Sequence, residues 1–178
     1  KTLLSAAFVK YAVESGLRVL FLTNKQSLLY QTQKAYEKAG MEPTLIGDGL
    51  KDFSRLSIGM VQTIFMGLPV SRPGKWIKVK GKRTWQKPVK RPGKPEVMAY
   101  LNDVDVIVLD EAHGGSSESV QAICNKCVNS PYRIGLTATP LMKGWMDDLK
   151  LMSVTGDVIK RITLQDLIDR GLLAQPYV

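Results

Sequence analysis

The chain has 178 residues, enough for one domain with a sizeable core, and a formal net charge of +9. No apolar run approaches the roughly 18 residues that a membrane-spanning helix requires. Cys124 and Cys127 resemble half a zinc site, but no second pair exists and His113 is the only histidine, so buried free thiols are the favoured reading, and two cysteines fit a reducing cytosol.

The first two residues, Lys1 and Thr2, precede an amphipathic helical pattern of Leu3, Leu4, Ala6, Ala7, Phe8, Tyr11, Ala12 and Val13 that stops near Gly16. An apolar strand is expected at 18–22. A Lys-Thr pair that opens a helix is how a phosphate-binding loop ends, with Lys reaching the β- and γ-phosphates and the Thr hydroxyl on Mg²⁺. The glycines of such a loop would lie before Lys1. Helix 26–39 follows, stopped by Gly40, and 43–46 and 57–61 are short strand candidates.

The charge is local. Ten basic residues fall between Arg72 and Lys94, and no acid occurs from Phe53 to Pro95; the other 15 Lys and Arg nearly balance 16 Asp and Glu. This stretch, 69–95, holds Trp76 and Trp85 among five prolines and reads as an insertion in the α/β pattern. Residues 76–80 alternate, Gly81 offers a turn, and 82–86 can return as a hairpin. Trp76, Lys78, Lys80, Lys82 and Arg83 are the expected contacts to nucleic-acid backbone and an exposed base. The alternative is a solvated loop whose charge serves solubility.

After a short helix at 96–101, the apolar run 104–109 ends in Asp110-Glu111-Ala112-His113. A buried parallel strand delivers two adjacent acids to the sheet edge where ligands collect in open α/β folds. Asp110 can hold Mg²⁺ there while Glu111 orients and deprotonates a water, the layout nucleotide hydrolysis needs. Helix 116–128, with Ser116 or Ser117 as N-cap, leads to strand 132–139, which carries Gly135-Leu136-Thr137-Ala138-Thr139-Pro140. Helices 144–152 and 164–169 complete the pattern. Strands alternating with helices at this spacing predict an α/β fold, a doubly wound, mainly parallel sheet covered on both faces.

These pieces, taken in order, resemble the first RecA-like domain of a superfamily 2 helicase or translocase, and most closely the DEAH-box, phage-type DNA helicases and type III restriction translocases. Lys1-Thr2 is similar to the end of motif I, so the chain is expected to start inside that motif. Residues 22–31 resemble motif Ia, 58–64 the next nucleic-acid-contacting segment, Asp110 to His113 motif II, and Thr137 to Thr139 motif III. Gln31, Gln62 and Thr63 match the family pattern; Asn24-Lys25 stands where Pro-Thr is usual, and Met60 where Thr is usual.

The resemblance implies one RecA-like domain over 1–178, an ATP-binding lobe that uses ATP and Mg²⁺ and couples hydrolysis to movement on DNA in the cytoplasm of a bacterial or phage-infected cell. In it Glu111, Asp110 and His113 are catalytic, Lys1, Thr2, Thr137 and Thr139 serve the nucleotide, and Thr2 and Asp110 hold Mg²⁺. His113 resembles the residue that couples the nucleotide site to motif III; a histidine capping a loop carbonyl is the plain alternative. Lys25, Gln62 and Thr63 are expected backbone contacts, although Gln62 and Thr63 would equally suit a helix N-terminus. Residues 172–178 would begin a linker to a second RecA-like domain that supplies the catalytic arginine, so the fragment alone should be inactive. An RNA helicase and a non-catalytic nucleic-acid-binding module are the competing readings.

Overall fold

The computed structural model describes residues 2–79, 81–139, 141, 144–160, 162 and 164–171. Lys1, Lys80, Pro140 and 172–178, on which the motif I lysine, one basic contact, the last residue of the motif III run and the linker were expected, lie outside the described residues.

In chain order the elements are α1 (Thr2–Glu14), β1 (Val19–Thr23), α2 (Gln26–Lys38), β2 (Thr44–Gly47), β3 (Leu50–Lys51), β4 (Leu56–Met60), α3 (Val61–Met66), β5 (Val70–Arg72), β6 (Lys75–Val79), β7 (Lys82–Gln86), β8 (Val89–Arg91), α4 (Pro95–Asn102), β9 (Val106–Asp110), α5 (Glu118–Cys124), β10 (Tyr132–Leu136), α6 (Trp145–Thr155) and α7 (Leu164–Asp169). A 3₁₀ turn, Ala112–Gly114, lies between β9 and α5.

Six strands form one sheet in the order β10-β9-β1-β4-β2-β3, parallel except for the antiparallel edge strand β3. β1 and β9 are buried along their whole length, which is why they read as unbroken apolar runs. Their side chains alternate between two cores. Val19, Phe21, Val106 and Val108 face α1 and α2 with Ala6, Val9, Leu29 and Tyr36. Leu20, Leu22, Ile107 and Leu109 face the other side with Ile64, Leu101, Val120, Ile123 and Leu151. Helices thus cover both faces, as the alternating pattern predicted.

From β1 the chain runs outward to β2 and β4, then crosses to β9 and β10 on the other side. β1 is therefore the point where strand order reverses, and the crevice at its C-terminal end is where ligands bind in open α/β sheets. Gly59 in β4 lets α3 close tightly on the sheet: a Cβ there would lie 2.5 Å from Ile64 Cδ1.

Several boundaries differ from those expected. The helix expected over 116–128 is only α5, because Asn125 caps it and the buried Cys127 continues in a turn. β10 stops at Leu136, so Thr137 and Thr139 lie in the loop beyond it, and α6 runs on to Thr155. β3 and the β5–β8 pair are too short to leave a periodic trace. Among the described residues no helix is long and apolar enough to cross a membrane.

The basic stretch leaves the sheet as a ribbon. β5 pairs antiparallel with β8, and beyond them β6 pairs with β7 around Gly81, whose φ of +79° suits the turn. The Lys94 amide donates to the Gly67 carbonyl at 2.8 Å, so the excursion returns to its starting point. Arg72 ties it to α5 through Glu118 at 2.6 Å.

Candidate functional site

Asp110 ends β9 and Glu111 follows it at φ +49° and ψ +52°, left-handed backbone that a non-glycine residue adopts at a cost of about 1–2 kcal/mol. The Glu111 amide donates to Asp110 Oδ1 at 2.9 Å, which helps to hold the turn. This geometry separates two neighbouring acids. Asp110 is 7% exposed, whereas the Glu111 side chain is about two-fifths exposed. One carboxylate is sheltered at the strand end and the other is presented to solvent.

The 3₁₀ turn then carries His113 back toward both neighbours. Its Nδ1 is 3.4 Å from Glu111 Oε2 and 3.4 Å from Thr137 Oγ1, with donor and acceptor roles set by the tautomer. Thr137 Oγ1 also accepts the Thr139 amide at 3.2 Å. Thr137 and Thr139 therefore sit together past the end of β10, joined through His113 to the turn that follows β9.

Thr2 opens α1. That helix leads through a four-residue loop into β1, so it packs antiparallel to the strand and its N-terminus lies at the same C-terminal edge of the sheet. A polar chain continues the connection. Tyr36 on α2 donates to Ser5 Oγ at 3.0 Å, and Ser5 donates to the Thr2 carbonyl at 2.8 Å. Burial pushes the Tyr36 hydroxyl well above its ordinary pKa; the Ser5 hydrogen bond opposes this, and the nearby Asp110 charge adds to it. The sequence hint was Ser5, a polar residue inside the buried stripe of Ala6, Val9 and Ala12, but its partner Tyr36 is 31 residues away.

Two further expected residues and one substitute reach the same edge. Lys25 is the exposed N-cap of α2, directly after β1, with its amide 3.5 Å from Thr23 Oγ1. Gln62 and Thr63 occupy the first turn of α3, directly after β4, with Gln62 exposed. The N-cap is Met60 and no side chain caps the helix, so neither Gln62 nor Thr63 is the cap that was the alternative to a backbone contact. Trp76, Lys78, Lys82 and Arg83 lie instead on the β6–β7 hairpin, which shares no pairing with the six-stranded sheet.

The donors suited to a metal at this edge are the Thr2 hydroxyl and the Asp110 carboxylate. Both are hard oxygens, and two protein oxygens fit Mg²⁺, which keeps most of its shell as water and substrate phosphate. Among the described residues no cluster of three or more His, Cys, Asp or Glu could hold a metal.

Comparison with known proteins agrees with this architecture. Residues 1–142 match the family described as type III restriction enzyme, res subunit. Among solved structures, the UvsW helicase from bacteriophage T4 superposes with a TM-score of 0.62 at 13% identity, over 86% of this chain and 48% of that one. The Hef helicase domain of Pyrococcus furiosus gives 0.59 at 18% identity, over 88% and 31%. A nuclease-deletion mutant of the type ISP restriction-modification enzyme LlaGI, in complex with a DNA substrate mimic, gives 0.59 at 16% identity, over 96% and 17%. The chain spans less than half the length of each of these structures, and no curated protein matches its sequence. The chain belongs to the type III restriction enzyme res-subunit family and has the RecA-like fold of the helicase domains it superposes on.

Proposed function

We propose that this domain is the ATP-binding lobe of an ATP-dependent DNA helicase or translocase, which couples hydrolysis to movement along nucleic acid. The observation that carries the reading is the division of labour at the end of β9. A sheltered Asp110 is followed by a presented Glu111 at the sheet's switch point, and His113 links that turn to Thr137.

In this mechanism Lys1 neutralises the β- and γ-phosphates, and the free amides at the start of α1 add the positive end of the helix dipole. Thr2 and Asp110 are the residues that would hold Mg²⁺, which when bound neutralises charge on the phosphate oxygens. Glu111 accepts the proton of the attacking water and aligns it with the γ-phosphorus. His113 couples the catalytic acids to Thr137 and Thr139, which do no chemistry themselves and carry the state of the nucleotide site to the neighbouring loop. Lys25, Gln62 and Thr63 would grip the phosphate backbone at the same edge.

The remaining transition-state charge requires an arginine, a contribution worth about 10³–10⁵ in rate. We assign that arginine to a second RecA-like domain of the parent chain, and expect the lobe alone to be inactive. DNA is favoured over RNA by the restriction-enzyme family match and by the DNA substrate mimic in the LlaGI complex.

The test is Glu111→Gln in the parent enzyme. Nucleotide affinity should stay close to wild type while ATP turnover collapses by two or more orders of magnitude, as loss of a general base predicts. Retained turnover would remove Glu111 from the role. Strand displacement measured on matched DNA and RNA duplexes separates the two polymers.

A further inference from the structure

The hairpin β6–β7 has two chemically different faces, and its register decides which residues share one. Trp76 pairs directly with Trp85, and two positions along the ladder Lys78 pairs with Arg83. Directly opposed residues point to the same face, and residues two apart along a strand return to it. Trp76, Trp85, Lys78 and Arg83 therefore form one surface. Lys82, grouped with them from the sequence, is adjacent to Arg83 and alternates to the opposite face. The indole centroids are 5.3 Å apart at an interplanar angle of 59°.

The two tryptophans are not equivalent. Trp85 lies over Gly74, where a Cβ would overlap its six-membered ring, so it is anchored to the ribbon's own backbone. Trp76 is 63% exposed and Trp85 47%, on a hairpin whose remaining residues are almost all solvent-facing. An anchored indole stabilises a hairpin; a second, largely exposed one beside two cations is surplus to that need. With no acid between residues 53 and 95, nothing within the ribbon itself neutralises Lys78 or Arg83.

We propose that this face is a stacking platform for unpaired nucleic-acid bases, with Trp76 and Trp85 supplying the π surface and Lys78 and Arg83 the flanking phosphate contacts. It rests on the nucleic-acid reading above and adds the substrate class: single-stranded rather than duplex. A base can lie on Trp76 only if it has left its own stack, and cations one step along the strand match a backbone that follows its bases. Trp85, braced on Gly74, holds Trp76 in place through their tilted ring contact.

The experiment uses the full parent protein and three fluorescein-labelled probes of equal length: oligo-dT, an abasic oligomer with the same phosphates, and a duplex. The wild type should bind oligo-dT about 10-fold or more tighter than the abasic oligomer, as one stacked base predicts. Trp76→Ala, at an exposed position, should abolish that preference and leave abasic binding unchanged. Lys78→Ala with Arg83→Ala should weaken both single strands alike and reduce the salt slope by about 0.7 per cation. Equal binding of oligo-dT and the abasic oligomer by the wild type, or a preference that survives Trp76→Ala, overturns the platform. Failure to bind any of the three probes even at low salt would overturn the nucleic-acid reading itself, whereas binding without base preference removes only the platform.

Discussion

His113 contacts two oxygens that follow different strands, 3.4 Å from the Thr137 hydroxyl beyond β10 and 3.4 Å from the Glu111 carboxylate after β9. A movement of either loop must therefore be felt by the other, because both contacts converge on Nδ1, which has one hydrogen or one lone pair to offer them. Both distances are at the long end of hydrogen bonding, which suits a contact that tightens when the site fills.

Thr137→Val tests this link. It removes the hydroxyl and keeps the branched shape, and one neutral hydrogen bond is worth about 0.5–1.5 kcal/mol. Nucleic-acid stimulation of ATP hydrolysis should fall about 2- to 10-fold in the parent enzyme, while nucleotide affinity stays near wild type. If affinity fell as far as stimulation, Thr137 would belong to binding and not to coupling.

The left-handed backbone at Glu111 gives a prediction of opposite sign for stability and activity. Glu111→Gly relieves the positive φ, and the domain should gain about 0.5–1 kcal/mol after glycine's own entropic cost. Thermal melting should rise while hydrolysis is lost. Glu111→Gln keeps the Cβ and should lose hydrolysis with an unchanged melting temperature, so a comparison of the two variants separates backbone strain from chemistry.

What the sequence displayed best was whatever a single strand can show alone. β1 and β9 are buried on both faces, so they appear as unbroken apolar runs, and the acids that follow β9 stand out against them. Gly81 between an alternating run and its return marked the hairpin, and α7 was expected at its observed limits. The ends of α5 and β10 were misplaced because Cys127 and Thr137 keep the apolar or β-branched character of the elements they have already left. The Tyr36–Ser5–Thr2 chain and the split of Lys82 from Arg83 depend on packing and register, which no local pattern encodes.

The two cysteines give a chemical prediction. Burial pushes the Cys124 thiol up to about 11 and the Cys127 thiol up to about 12, with Cys124 adding to the shift at Cys127 and Arg133 opposing both. At neutral pH both are protonated, and only thiolates react. Titration with a disulfide reagent at pH 8 should label neither in the native domain and both after denaturation. The folded state holds these protons more tightly than the unfolded chain, so the contribution is complete below about pH 9 and is lost as pH rises toward 11–12. Rapid native labelling of either thiol would contradict its placement in the core.

Tyr36→Phe asks whether the brace beneath the start of α1 matters to the site. The substitution keeps the edge-on contact with Phe21, at 5.7 Å and 82°, and deletes only the hydroxyl. Ser5 remains bonded to the Thr2 carbonyl but loses its own donor, and a buried hydrogen bond removed in this way costs about 1 kcal/mol. A purely structural brace would lower the melting temperature and leave Mg²⁺-dependent nucleotide affinity alone. Because Ser5 also holds the Thr2 carbonyl, both should change: a drop of a few degrees in melting, and a weaker magnesium dependence of nucleotide binding. Ser5→Ala, which removes the same bond from the opposite end, should reproduce the effect on nucleotide binding if the chain from Tyr36 to Thr2 is what transmits it.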